Sequence, residues 1–355
     1  MKELSKFKIL NYPNHLKELV DRKDTLPITI EMDPINRCNH NCIWCADNKI
    51  RRSRDMLDLE FLQRILGELY NIGAKSIIFK GGGEPTLHPD ISKFIQLSTI
   101  NFKTALLTNG ANLSDDLIQT IVDNCEYIRI SLDAVDKKSH DRWHRPDMHC
   151  GWDKIISNIK KLVEIKKKNK SGIKIGINIL YDNISFYQMP KAIDVAKSLD
   201  IDILSFRRAY TTEYGFKHDP WEQYELSHCK YLIDSLKVIN HGIYIIFDAS
   251  RGEEIYRDTA ERNLPECLAT PLISIICADK KVYPCCDLRL MKDYCYGDLT
   301  KNTFEEIWHS EQRKMILEEK IIPKQCFKYC THRFTYFNEM LNYLVSPDKP
   351  HKELL

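Results

Sequence analysis

The sequence lacks any run approaching the ~18 apolar residues that a helical membrane span requires, and its first residues, MKELSKFKILNYPNHL, lack the continuous apolar core of a secretory signal. A cytoplasmic protein is therefore expected, with no membrane partner. Charge of one sign is missing too. Lys and Arg number 52 against 50 Asp and Glu, and they are interspersed, so nothing marks a footprint for nucleic acid. The one basic run, Lys166, Lys167, Lys168 and Lys170, reads as the solvated end of a helix. No repeat of solenoid length is present. Disorder is excluded by the 43% of hydrophobic residues, enough for a large core. Cysteine, in contrast, is abundant. Thirteen cysteines in a reducing compartment do not form a disulfide framework, which leaves metal or redox chemistry.

From residue 27 to about 205, short β-branched runs alternate with amphipathic stretches, the pattern of βα units around a parallel sheet. Strands are predicted at Ile28 to Met32, Ser76 to Phe79, Thr104 to Thr108, Tyr127 to Ser131, Ile173 to Leu180 and Ile203 to Phe206. Helices are predicted at Leu57 to Tyr70, Ile91 to Thr99, Ser114 to Val122, Trp152 to Lys167 and Met189 to Leu199. The fold class is thus α/β, a partial (β/α)6 TIM-like barrel, whose chemistry should gather at the C-terminal ends of its strands. After about residue 240 cysteines interrupt the apolar runs: Ile273 to Cys277 and Lys281 to Tyr283 suggest a hairpin, followed by short helices at Thr303 to Trp308 and Glu311 to Glu318. The expected organisation is an N-terminal extension (1–26), the barrel (27–240), a small cysteine-rich domain (241–340) and a polar tail (341–355).

Directly after the first predicted strand stands DPINRCNHNCIWCADNK, which gathers Cys38, Cys42 and Cys45 in one loop with three and two residues between them. Soft thiolates select zinc, copper(I) or iron-sulfur clusters, and three of them leave one iron of a four-iron cluster open to a substrate. A zinc site would need a fourth donor, and His40 is at hand. This Cys-x3-Cys-x2-Cys loop, with Trp44 just before the third cysteine, resembles the signature of the radical S-adenosylmethionine superfamily. The resemblance implies that Cys38, Cys42 and Cys45 hold a 4Fe-4S cluster, that S-adenosylmethionine binds its open iron and is cleaved to a 5'-deoxyadenosyl radical, and that Trp44 lies near the adenosine. Ordinary core packing is the other reading of Trp44.

The second predicted strand runs into KGGGEPTLHP, whose glycines let backbone approach a ligand closely. Within the resemblance, Gly82, Gly83 and Glu84 correspond to the Gly-Gly-Glu segment whose backbone binds the methionine amino group. Ser131 and Asp133 in ISLDAVD, and Asn178 on the fifth strand, resemble residues that hold the cofactor's ribose or carboxylate. Arg145 in DRWHRP is a candidate partner for the methionine carboxylate, because guanidinium binds carboxylate bidentately. Alternatively Asp133 caps a turn, Arg145 pairs at the surface, and His144 is simply exposed.

Seven cysteines follow Pro265. Between Cys267 and Cys285 lie seventeen residues, between Cys285 and Cys326 forty, and between Cys326 and Cys330 three. Four such thiolates close a complete site, for zinc or for a cluster. The segment VYPCCDLRLMKDYCYGDLTKNTFEEIWHS, with Gly297 and Trp308 between the ligand groups, resembles the SPASM or twitch auxiliary-cluster domains. That resemblance implies an auxiliary 4Fe-4S cluster on Cys267, Cys285, Cys326 and Cys330. Cys277, Cys286 and Cys295 lack paired spacing and read as small buried hydrophobes, although Cys286 or Cys295 is a candidate hydrogen donor in an epimerase. Cys125, Cys150 and Cys229 have no spacing partners.

The combined resemblance implies a radical enzyme whose auxiliary cluster accepts an electron, served by an electron donor such as flavodoxin or ferredoxin. Oxidation or epimerisation of a carbohydrate or aminocyclitol is the first expectation, because the stretch before the first strand leaves no room for a fused peptide-recognition domain. A peptide maturase is the second. A non-catalytic iron-sulfur or zinc scaffold is the third.

Overall fold

The computed structural model describes residues 6–45, 53–209, 222–239, 241–247, 266–321 and 332–346; Cys326 and Cys330 lie outside them. In chain order the described elements are α1 (Pro13–Val20), β1 (Thr29–Met32), α2 (Leu59–Asn71), β2 (Ser76–Phe79), α3 (Ile91–Ser98), β3 (Lys103–Thr108), α4 (Asp115–Asn124) and β4 (Tyr127–Ser131). Then come α5 (Lys137–His144), α6 (Trp152–Lys168), β5 (Lys174–Tyr181), α7 (Met189–Ser198), β6 (Ile203–Arg208), α8 (Gln223–Lys237) and β7 (Tyr244–Phe247). The chain continues through β8 (Ile273–Ile276), β9 (Lys281–Tyr283), β10 (Gly297–Asp298), α9 (Phe304–Trp308), α10 (Glu311–Met315) and α11 (His332–Val345).

Two compact units emerge. One contains Met32–Gln63 and Ser76–Asp258. Within it, β2 to β7 pair in sequence order, every pair parallel, as β2-β3-β4-β5-β6-β7. A crossover between parallel neighbours is obligatory, since the chain must return to start the next strand in the same direction, and a helix is its usual form. Their apolar stripes are legible: on α6, Ile155, Ile159, Leu162 and Val163 are buried, and on α4 Leu117, Ile118 and Ile121. Ser114 caps α4 by accepting from the Leu117 N–H at 3.2 Å. The α/β class with a parallel sheet is observed as expected. The strand β7 is an addition: YIIF is a short apolar run without alternation, which periodicity alone does not separate from a buried helix. Helix α5 is also an addition, because KKSHDRWH is too polar to show a stripe; it is started instead by a capping box between Asp136 and Ser139.

The other unit contains Met1–Glu31, Arg64–Lys75 and Thr259–Leu355. Here β8 and β9 form the expected antiparallel hairpin and β10 extends it. The N-terminal segment is built into this unit. Buried Arg313 donates from Nη1 to Asp24 at 2.8 Å and from Nη2 at 3.0 Å, and its guanidinium lies 3.8 Å from the centre of the Trp308 ring. The indole N–H of Trp308 donates to Thr25 O at 2.9 Å. The predicted helix from Glu311 shortens to Met315 and passes into a wider π turn over Ile316–Lys320. Helix α11 extends to Val345, so part of the segment expected as a polar tail is helical.

Candidate functional site

The cysteine loop after β1 is held from two sides. On one side it meets the glycine turn after β2: Gly83 N–H donates to Ile35 O at 3.1 Å and Glu84 N–H to Arg37 O at 2.8 Å. A Cβ on Gly83 would lie 2.1 Å from Arg37 O and 2.5 Å from Asn36 C, so the turn needs glycine there for close backbone approach. Gly82 is buried in the same turn. The Glu84 carboxylate is buried and accepts from Thr86 N–H at 3.1 Å, Thr86 O–H at 2.7 Å and Asn109 N–H at 2.7 Å, with a further bond from Thr108. Burial pushes its pKa up against those four bonds. The side chain thus ties the turn to the end of β3, which leaves the backbone of this segment, rather than its carboxylate, to face a ligand.

On the other side the loop is laced to the end of α5. Asn41 N–H donates to His144 O at 2.9 Å, Ile43 N–H to Trp143 O at 3.0 Å, and Asp147 N–H to Asn39 O at 2.9 Å. Trp44 is buried and stacks on Trp143 with ring centres 4.3 Å apart and planes 25° apart.

All three thiols of the loop belong together electrically. Burial pushes the Cys42 thiol well above its ordinary value, and Cys45, Cys38 and Asp133 push it further the same way. Thiols that suppress one another's ionisation are relieved by a shared cation, and three soft donors in one loop suit one cluster with an open corner. The donor set therefore fits a 4Fe-4S cluster.

His144, for which surface exposure is one reading of the sequence, is almost completely buried. Its Nδ1 lies 3.1 Å from Cys42 Sγ, and its Nε2 3.1 Å from Leu132 O and 3.6 Å from Asp133 Oδ2. Asp133 has a left-handed backbone (φ 48°), and its carboxylate accepts from Asn178 Nδ2 at 3.1 Å and Leu180 N–H at 2.8 Å. Burial raises that carboxyl to about 6. Ser131, at the end of β4, pairs in register with Asn178 on β5. His140 stacks on His144 at 4.5 Å, and His40, whose Nε2 bonds Cys150 O at 2.9 Å, completes a group of three imidazoles with ring nitrogens within 4.8 Å of one another. Burial is the first cause lowering the pKa of each. With Nε2 of His40 and of His144 turned to backbone carbonyls and Nδ1 of His144 turned to Cys42, these rings read as support for the cysteine loop, not as a separate metal centre.

Arg145 stands apart from this group. Its side chain is exposed, its backbone is left-handed (φ 42°), and it lines a shallow depression with Lys137, Asp141 and Asp147. Sequence reasoning missed His140, Trp143 and His144; the available signals were the Asp136-x-x-Ser139 capping box and the four-residue spacing of the two histidines.

In the other unit, Cys267 Sγ accepts from Asn338 Nδ2 of α11 at 3.2 Å, while Asn338 Oδ1 accepts from the Leu268 and Ala269 N–H groups at 2.6 and 3.0 Å. Cys285 is buried just after β9. Cys277 is completely buried, and Cys286 and Cys295 pack partly exposed beside Ile275 and Tyr283. Burial pushes the Cys295 thiol up. The four-cysteine site expected here includes Cys326 and Cys330, outside the described residues.

Comparison with known proteins agrees with both regions. The Radical SAM superfamily profile matches residues 32–185, and that of SPASM, an iron-sulfur cluster-binding domain, matches 267–332. A cysteine-type anaerobic sulfatase-maturating enzyme of Clostridium novyi is 24% identical over 81% of this chain and 80% of its own. An AdoMet-dependent heme synthase of Methanosarcina barkeri is 21% identical over 78% of this chain and 80% of its own. Of other curated relatives, including a PqqA peptide cyclase of Bradyrhizobium diazoefficiens, the chain spans about half the length. The fold matches that of Streptococcus suis SuiB bound to precursor peptide SuiA, with a TM-score of 0.68 and 18% identity over 91% of this chain and 75% of that one. Among the described residues no helix is long and apolar enough to cross a membrane.

Proposed function

A radical SAM domain followed by a SPASM domain makes this chain a member of the radical SAM superfamily, with 4Fe-4S clusters and S-adenosylmethionine as its cofactors, and from that premise we propose that it modifies a peptide or protein side chain by radical hydrogen abstraction. The cluster and S-adenosylmethionine, when bound, supply a 5'-deoxyadenosyl radical. Cys38, Cys42 and Cys45 hold that cluster, and the backbone of Gly82, Gly83 and Glu84 receives the methionine end of the cofactor. Trp44, backed by Trp143, offers a flat apolar wall for its adenine, with Ser131 and Asn178 as polar partners. In the other unit, Cys267 and Cys285, with Cys326 and Cys330, hold an auxiliary cluster.

The observation that carries the chemistry is the three-thiol loop sewn between a glycine turn and a buried histidine. The peptide substrate is favoured by the sulfatase-maturating relative and the peptide-bound SuiB fold. The expectation of a carbohydrate or aminocyclitol substrate finds no support in these relatives, and the heme synthase keeps a non-peptide small molecule as the second reading.

Anaerobic reconstitution with iron and sulfide, followed by dithionite and S-adenosylmethionine, should release 5'-deoxyadenosine from the native chain and none from Cys42→Ala. Peptides encoded beside the gene should raise that yield and change in mass. If a small molecule alone couples to turnover and no peptide does, the peptide reading is wrong; if Cys42→Ala cleaves as well as native, the ligand reading is wrong.

A further inference from the structure

We propose that Arg207 recognises a carboxylate side chain of the peptide substrate, close to the residue that is modified, so that acidic peptides are preferred. The inference deepens the peptide reading and rests on it.

Register separates the two faces of the sheet from β2 to β7. Phe79, Leu106, Ile128, Ile177, Leu204 and Phe206 share one face and are at most 1% exposed, as a face covered by the returning helices must be. The opposite face carries Arg129 and Ser131 on β4, Asn178 and Leu180 on β5, and Arg207 on β6. Ser131 is level with Asn178, and Leu180 with Arg207. Parallel sheets are ordinarily apolar on both faces, yet here Leu107, Arg129, Ser131, Leu180 and Arg207 are each only half-buried. A polar, half-open face on such a sheet suits a ligand. Its lower end is filled: Arg129 is level with Gly176, where a Cβ would lie 2.6 Å from the Tyr127 hydroxyl, so the Tyr127 ring occupies the space that the glycine leaves. Room remains toward the C-terminal strand ends, where parallel sheets place their chemistry.

Arg207 stands at that end. Among the described residues its guanidinium forms no hydrogen bond or ion pair. Two residues on, Ala209 packs in one apolar cluster with Trp44 and Trp143, so Arg207 borders the wall assigned to the adenine. The nearby carboxyl is Asp133, which burial raises and which hydrogen bonds, Arg129 and Arg207 draw back down. One carboxyl against two guanidinia leaves this face positive, and a half-buried guanidinium is well matched to a bidentate carboxylate. The cofactor's own carboxylate is out of reach. It shares a carbon with the amino group received at the glycine turn after β2, and β2 and β6 are four strand spacings apart, roughly 19 Å along the sheet, farther than an arginine side chain extends. The substrate is the source that fits.

Three heptapeptide pools test this, each degenerate in uncharged residues and fixed at the centre as Glu, Gln or Lys. With the reconstituted full chain, dithionite and S-adenosylmethionine, the Glu pool should release about tenfold more 5'-deoxyadenosine than the Gln pool, the worth of a hydrogen bond to a charged group. Arg207→Gln should erase that ratio, Arg207→Lys should keep part of it, and Arg207→Glu should turn the preference to the Lys pool. Binding gives a second readout: phenylglyoxal modification of Arg207, located by mass spectrometry, should be slowed by the Glu pool and not by the Gln pool. Equal release from the Glu and Gln pools in the native chain, or a native ratio in Arg207→Gln, overturns the proposal and leaves the peptide reading standing. Protection of Arg207 by S-adenosylmethionine alone and by no pool assigns the guanidinium to the cofactor and overturns it as well. If no pool raises release above the peptide-free level, the peptide reading falls, and this inference with it.

Discussion

At Gly83 the space for a side chain is already occupied by the backbone of Asn36 and Arg37. Adding one methyl group there forces the glycine turn and the cysteine loop apart, at a cost of about 1–3 kcal/mol for overpacking. Gly83→Ala is therefore expected to fold less stably and to retain less iron after reconstitution, read by chemical denaturation and iron content together; native values for both would contradict the seam described here. A second residue-scale effect concerns acid. Burial lowers the pKa of His140 below its ordinary 6.5, so its unfolded form binds a proton that its folded form does not. Its contribution is fully present above pH 6.5 and is lost as pH falls toward the lower folded value. In the metal-free protein, His140→Phe should flatten the loss of stability between pH 7 and 5 by on the order of 2 kcal/mol. An unchanged slope in urea titrations would show that the ring is not the source.

Among the elements, α5 matters beyond its eight residues because its C-terminal carbonyls hold the N–H groups that flank Cys42. Its start depends on a capping box, with Asp136 accepting from Ser139 N–H at 2.9 Å and also pairing with Lys191. Asp136→Ala should cost about 1 kcal/mol, the usual worth of an N-cap. Because frayed helix ends release what they hold, the same change should loosen the cysteine loop and raise the rate at which a chelator strips iron; stripping at the native rate would separate the helix from the site. Neither helix nor role was legible from hydrophobic spacing, since half of KKSHDRWH is charged and its buried members are two histidines and a tryptophan. Helices α4 and α6 were legible because their buried faces are made of Ile, Leu and Val at helical spacing.

Across the whole molecule, the chain is divided unevenly, with residues 1–31 in the same compact unit as the C-terminal cysteines. Asp24 and Thr25 satisfy the buried guanidinium of Arg313 and the indole of Trp308. Deleting residues 1–26 removes the carboxylate that pairs with Arg313, whose Nη1 keeps only the Trp308 carbonyl at 2.8 Å, and takes the acceptor from the Trp308 indole N–H; a buried charge without its counter-ion is expensive. The truncated chain should melt at lower temperature and, after reconstitution, lose about four irons, the content of one 4Fe-4S cluster. Full iron content would show that this segment is dispensable to the C-terminal unit.

By itself the sequence determined the chemistry class, because cysteine spacing within one loop is local and survives any arrangement of the rest. It also determined the α/β character, since the periods of strands and helices are written in consecutive residues. Only the tertiary structure decided that Glu84 spends its carboxylate on Thr86, Thr108 and Asn109, that Asp133 is buried, and that His144 meets Cys42 across 102 positions of chain. Those contacts depend on long-range burial, which removes water and decides which polar atoms must find one another; no local pattern of residues encodes that choice.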